Sequence, residues 1–282
     1  MTVVDTSASL TFRAMGTEWW VGCDHPELLA GMEQMVRDVE ARLSRFRMDS
    51  ALSRLNRERQ ATDPILAHVA EAAWRMRTLT SRAFDPTLGS QVARLGYDRD
   101  FDDIFESADP EPTPEDAWLD IRIDAETVRL AGSGELDLGG IAKGWTADLV
   151  HDELLSRGAS RVLVDGGGDL RASGRWRVGV GQDRAVDLDG GLATSSTLRR
   201  TWRRNGRTLH HLVDAGTGRP STSAVVEATV LARDAATADA LATAMVVAPE
   251  RVMGCLGAIR ASAWLSDAEG NEWTTPDWKE IR

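Results

Sequence analysis

Residues Asp234 to Ala248 (Asp-Ala-Ala-Thr-Ala-Asp-Ala-Leu-Ala-Thr-Ala-Met-Val-Val-Ala) constrain this chain more than any other segment. The run is apolar on nearly every side, the pattern of a helix enclosed by protein. It has no Lys or Arg, and its one internal charge is Asp239. A carboxylate withdrawn from water costs several kcal/mol, roughly, unless it is paired or bound to a metal. Thr243 follows one turn later on the same face. An acid and a hydroxyl on a dry helix suit a small hard cation with oxygen ligands. Mg2+ fits this best, since it needs only one or two carboxylates and leaves its other positions to water and phosphate. Two other readings fit the same residues: Asp239 held neutral or paired with an arginine from elsewhere, and Thr243 bonded back to its own helix.

The second informative segment is Glu135-Leu-Asp-Leu-Gly-Gly-Ile-Ala-Lys-Gly-Trp145. A glycine pair precedes a helix, so free backbone N–H groups and the helix dipole face an incoming anion. Lys143 adds a point charge one turn in. Neither the P-loop nor the dinucleotide spacing is present. An ordinary glycine turn with a snorkelling lysine would carry the same residues. Three further segments are weaker. Gly166, Gly167 and Gly168, between Asp165 and Asp169, form either a tight turn or a close backbone approach to a flat or charged ligand. Phe84-Asp-Pro-Thr-Leu-Gly89 is a turn with an acid and a hydroxyl. His210-His211-Leu-Val-Asp214 places His211 near an acid, as a general base or as a surface histidine of a hairpin.

The formal charge of −11 argues against nucleic acid or an anionic membrane surface as partner. Cys23 and Cys255 provide neither a disulfide framework nor zinc spacing. Residues 1–9 lack a basic and an apolar region, and no span is long enough to cross a bilayer, so a cytoplasmic protein without membrane insertion is expected. Periodicity predicts a strand or hairpin over 9–24, broken at Met15-Gly16-Thr17. It predicts a helix from Pro26 whose apolar stripe runs through Phe46, and a second helix after Asp63-Pro64. The acidic, proline-bearing residues 107–117 are expected as a surface loop, followed by a hairpin over 118–131 and a helix over 140–157. Short strands are expected at 161–165, 169–173, 176–181, 192–195, 200–213 and 226–232. After the Asp239 helix come a further helix near 250–256 and a strand at 260–266. Strands and helices do not alternate cleanly, so the fold class is α+β, with mixed sheets and packed helices.

In order and identity these segments resemble the FAD:protein FMN transferases, the ApbE-type flavin transferases. The resemblance rests on Met15-Gly-Thr17, Phe46 to Asn56, Ala83-Phe-Asp-Pro-Thr87, Asp137 to Gly144 with Asp148, Gly167-Gly-Asp169, Ala193-Thr-Ser195, His211-Leu-Val-Asp214 and Ala238 to Thr243. It departs at Ala215, Ser196 and Trp145, where proline, glycine and tyrosine are usual. It spans nearly the whole chain and implies a single transferase domain over 1–282, in one lobe or two, with flavin in a cleft. By position it implies Mg2+ on Asp239, Thr243 and the Gly140 carbonyl. FAD would contact Met15, Phe46, Ala83, Phe84, Asp85, Asp137, Lys143 and Leu212. His211 would accept the proton of an acceptor-protein threonine or serine, with Asp137 or Asp214 able to share that role. The implied reaction moves FMN from FAD to that hydroxyl and releases AMP. The same site would serve an Mg2+-dependent FAD pyrophosphatase, or a flavin-binding protein without turnover.

Overall fold

A computed structural model describes residues 9–110, 118–181 and 184–279. The chain opens with the hairpin of β1 (Ser9–Ala14) and β2 (Thr17–Cys23). Its two-residue turn is Met15 and Gly16, both at positive φ (51° and 68°), the geometry that matches strand twist. The helix expected from Pro26 divides in two. Pro26–Leu29 forms one 3-10 turn, Gly31 takes a left-handed conformation at φ 89°, and α1 (Met32–Leu43) starts after it. Phe46 lies beyond the end of α1 and is not part of its stripe. Helix α2 (Ala51–Glu58), which periodicity does not reveal, is capped by the Ser50 hydroxyl accepting from Ser53 N–H.

Strand β3 (Gln60–Thr62) leads to α3 (Pro64–Leu79), capped by Asp63 with proline at its first position, as the sequence predicts. A short α4 (Gly89–Arg94) follows. The predicted hairpin is β4 (Leu119–Asp124) and β5 (Thr127–Gly132), which joins β3 in a three-stranded sheet ordered β3-β5-β4. The loop expected over 107–117 is exposed at 108–110, and its residues 111–117 lie outside those described. Helix α5 (Ala142–Ser156) ends before Gly158, at φ 105°.

The remaining strands are β6 (Val162–Asp165), β7 (Leu170–Val180), β8 (Arg184–Ser196), β9 (Thr201–Arg204), β10 (Arg207–His210), β11 (Val213–Asp214), β12 (Arg219–Pro220) and β13 (Val225–Ala232). The two strands expected at 169–173 and 176–181 are one, β7, with a register irregularity between Ala172 and Trp176 that absorbs the glycine at 174. Helix α6 (Ala235–Val247) is followed by a short α7 (Pro249–Val252), then β14 (Ser262–Asp267) and β15 (Glu272–Thr274). An eight-stranded antiparallel sheet runs β1-β2-β6-β7-β8-β13-β14-β15. The architecture is α+β.

Helix α6 lies on β8 and β13, with α5 and α3 against its other sides. Every residue of it is buried except Thr237 and Thr243, which are half-buried. The Asp234 carboxylate caps it by accepting from Thr237 N–H at 2.8 Å. Asp148, from α5, accepts from Ala235 and Ala236 N–H at 2.9 Å each and pairs with Arg171 at 3.2 Å. Gly144 makes this crossing possible, because a Cβ there would stand 2.3 Å from the Ala235 carbonyl oxygen.

Candidate active site

One cleft gathers residues from the β1–β2 turn, the α1–α2 connection, the 83–88 turn, the start of α5, the end of β8, the segment around His211, and α6. Its floor is the α5–α6 contact. Gly140 sits beside α6, with Thr243 Oγ1 3.3 Å from where a Cβ at 140 would be and the Phe84 ring 3.1 Å away. A side chain at 140 would fill the space between the turn and Thr243. The Asp137 carboxylate accepts from Gly139 N–H at 2.8 Å and holds that turn open. Thr243 Oγ1 is 3.2 Å from Ser195 Oγ.

Asp239 is buried and points into the same floor. Its Oδ2 accepts from Gly144 N–H at 3.3 Å and lies 3.9 Å from Lys143 Nζ. Lys143 also forms a close ion pair with Asp169. Burial, and then the neighbouring Asp169 carboxylate, push Asp239 well above the ordinary carboxylate range. Burial alone would lower Lys143, but Asp169 and Asp239 outweigh it and hold the ammonium above its usual value. Two buried carboxylates thus share one lysine. The set that the resemblance implies for a metal, the Asp239 carboxylate, the Thr243 hydroxyl and the Gly140 carbonyl, comes from residues that line this floor and offers oxygen alone. This donor set fits a hard divalent cation held by few protein ligands.

The opposite wall is aromatic. Phe46 and Tyr97 have centroids 5.7 Å apart, and Tyr97 meets His211 edge-on at 6.3 Å. Burial pushes His211 down to about 3, aided by Arg200, His210 and Lys143, so the ring is neutral at pH 7. It bonds to the Arg200 backbone, while its Nδ1 is buried without a partner among the described residues. Met15 N–H donates to Glu40 Oε1 at 2.6 Å, which fixes the hairpin turn at the cleft edge. Leu212 is buried in the lining.

The residues implied for the metal and the flavin, and His211, therefore line one cleft. Asp214, the alternative proton acceptor, is outside that lining: its carboxylate accepts from Gly216 N–H at 2.8 Å and lies 3.8 Å from Arg251. Asp85 lines the cleft with its carboxylate already engaged by neighbours. Its carboxylate is taken up by Arg77 Nε at 3.0 Å, Arg82 Nε at 2.8 Å, and Thr87 N–H and Oγ1 at 3.1 and 2.7 Å. It holds the turn that presents Ala83 and Phe84. Sequence reasoning gave no role to Asp169, Arg45, Tyr97 or Arg200, all of which line the cleft. For Asp169 the signal is the acid directly after three glycines. Asn56 was recognised only by resemblance. Its side-chain amide donates to Leu136 O and accepts from Leu136 N–H, both at 2.8 Å, tying α2 to the segment that enters the glycine turn.

The ApbE family model matches residues 5–260. This chain belongs to the ApbE family. An FAD:protein FMN transferase of Vibrio cholerae is 30% identical, with 80% of this chain and 75% of that one covered. An FAD:protein FMN transferase of Haemophilus influenzae is also 30% identical, covering 86% of this chain and 81% of the relative. Among solved structures, the apo form of the Pseudomonas stutzeri flavinyl transferase ApbE superposes with a TM-score of 0.80 at 26% identity, over 96% of this chain and 94% of that one. ApbE family membership covers both halves of the cleft, since residues 137–144 and 239–243 lie inside the matched span.

Proposed function

We propose that this chain transfers the FMN half of FAD to a threonine or serine hydroxyl of an acceptor protein and releases AMP, with Mg2+ as cofactor. The observation that carries the reading is the single floor formed by Gly140, Lys143, Asp239 and Thr243 beneath an aromatic wall. Phosphoryl transfer depends on in-line positioning and charge neutralisation rather than on covalent help from the enzyme. Asp239, Thr243 and the Gly140 carbonyl would hold Mg2+, which would neutralise charge on the diphosphate. The N-terminal end of α5 and Lys143 would seat phosphate oxygens. Phe46, Tyr97 and Met15 provide apolar surface for a flat ring.

The acceptor hydroxyl oxygen forms a bond to the phosphorus of the FMN half. The P–O bond to the AMP phosphate breaks, AMP leaves, and the hydroxyl proton passes to His211 Nδ1. His211 is suited to this because it is neutral and its Nδ1 has no hydrogen-bond partner among the described residues. An anionic diphosphate bound nearby would raise its basicity, opposing the burial and the positive charges that lower it. Among the described residues no helix is long and apolar enough to cross a membrane. We place the acceptor, like this chain, in the cytoplasm.

Incubation with FAD, Mg2+ and a threonine-bearing acceptor tests the reading. The expected result is AMP together with an acceptor whose mass rises by one FMN moiety. AMP and free FMN, formed equally with or without acceptor, would assign a pyrophosphatase instead. Intact FAD after long incubation would assign a flavin-binding protein.

A further inference from the structure

Arg45 stands out among the cleft residues that the reaction above leaves unused. It follows α1 and lines the cleft, with its side chain only 14% exposed. Its guanidinium carbon lies 4.4 Å from the centroid of Phe46 and 4.5 Å from that of Tyr97. Its Nε is 3.3 Å from Asp137 Oδ2. Its Nη2 is fully buried and has no hydrogen-bond partner among the described residues.

A buried charged N–H left unmade is expensive, and such groups are normally satisfied. Here the rest of the side chain is immobilised by two rings and a carboxylate, so Nη2 cannot turn away to find water cheaply. The donor is therefore fixed in advance beside an aromatic wall. The phosphate seat proposed above is at the other end of the turn, at Lys143 and the N-terminal end of α5. What lies against an aromatic wall is a flat ring, and a rigid planar N–H fork suits an oxygen in a ring plane. Adenine presents ring nitrogens and no carbonyl. An isoalloxazine presents two carbonyl oxygens.

We propose that Arg45 is a specificity-determining residue that donates from Nη2 to a ring carbonyl of the isoalloxazine, selecting the flavin end of FAD for the Phe46–Tyr97 wall. The inference rests on FAD being the ligand of this cleft.

The test compares wild type with Arg45→Lys and Arg45→Leu, using riboflavin, FMN, FAD and ADP as probes. The lysine keeps a charge for Asp137 but loses the planar fork. Riboflavin, FMN and FAD are expected to bind about 10- to 100-fold more weakly to both variants, the range for one lost charge-assisted hydrogen bond. ADP affinity is expected to be unchanged, which also shows that the variants are folded. The visible absorption shift of wild-type-bound riboflavin should vanish in both. Equal weakening of ADP and riboflavin would overturn the proposal, because Arg45 would then act only by holding Asp137. Loss of ADP affinity alone would also overturn it and place adenine on this wall. Unchanged riboflavin binding by Arg45→Lys would do the same while leaving FAD as the ligand. If wild type bound neither FAD nor riboflavin, the functional reading itself would fail.

Discussion

Gly144→Ala probes the contact on which the site is built. An ideal Cβ at 144 would lie 2.3 Å from the Ala235 carbonyl oxygen, 2.6 Å from its carbon and 2.9 Å from Ala236 N. All three are backbone atoms, so no rotamer change relieves the clash. Ordinary contact begins near 3.4 Å, so α5 and α6 must separate by about 1 Å. That opening breaks the two 2.9 Å bonds from Ala235 and Ala236 to Asp148 and stretches the Gly144 to Asp239 bond beyond range. Overpacking together with the lost caps costs about 2–4 kcal/mol. The melting temperature should fall by about 5–15 °C. Gly140 and Asp239 sit on opposite sides of this opening, so turnover should drop about 100-fold, the usual effect of a 1 Å misplacement. The concentration of Mg2+ giving half-maximal activity should rise. Calorimetry and AMP release over a Mg2+ series measure both. A variant that melts and turns over like wild type would refute the claim that this crossing sets the site.

Asp239→Asn should abolish turnover, yet leave the ligand-free protein at least as stable as wild type at pH 8, since it removes a buried carboxylate next to Asp169; urea titration beside AMP assays checks both. Lys143→Met should weaken ADP and FAD binding while sparing riboflavin, as measured by titration calorimetry. His211 is neutral and buried when folded but takes a proton near pH 6.5 when unfolded, so its contribution is complete above that value and falls away below it. At pH 5 this amounts to about 2 kcal/mol. His211→Gln should remove that much of the stability difference between pH 7 and pH 5 in urea unfolding, and an unaltered difference would disprove the buried neutral imidazole. Asn56→Ala strands the Leu136 N–H and C=O and should cost about 2–3 kcal/mol in urea unfolding.

What the sequence reveals depends on whether local chemistry or tertiary context decides. Helix α6, the Asp63-Pro64 cap and the 118–131 hairpin are legible because composition and periodicity act within a few residues of themselves. The continuous helix expected from Pro26 fails because Gly31 takes φ 89°, a conformation that periodicity does not register. β7 reads as two strands because its glycine sits in an irregularity that the neighbouring strand accommodates. Within the site, Asp239, Thr243 and the glycine turn stand out because an isolated acid on a dry helix and a glycine pair before a helix are each unusual alone. Asp169 hides because an acid after glycines looks like any turn. Arg45 hides because an arginine next to an aromatic reads as a solvated surface pair, and only the folded chain buries its last nitrogen. Asp85 reads as the acid of a turn, and nothing local reveals that Arg77 and Arg82 engage it.

The burial of α6 has an effect on how such a protein can change. Thr243 looks into the cleft, and nearly every other side chain of that helix is interior packing. Any replacement along it disturbs the protein's own architecture as well as the chemistry above it. Adaptation to a new acceptor or a new ring is therefore confined to the rim, to loops such as the one bearing Arg200, where a substitution can retune recognition without a toll on the scaffold beneath.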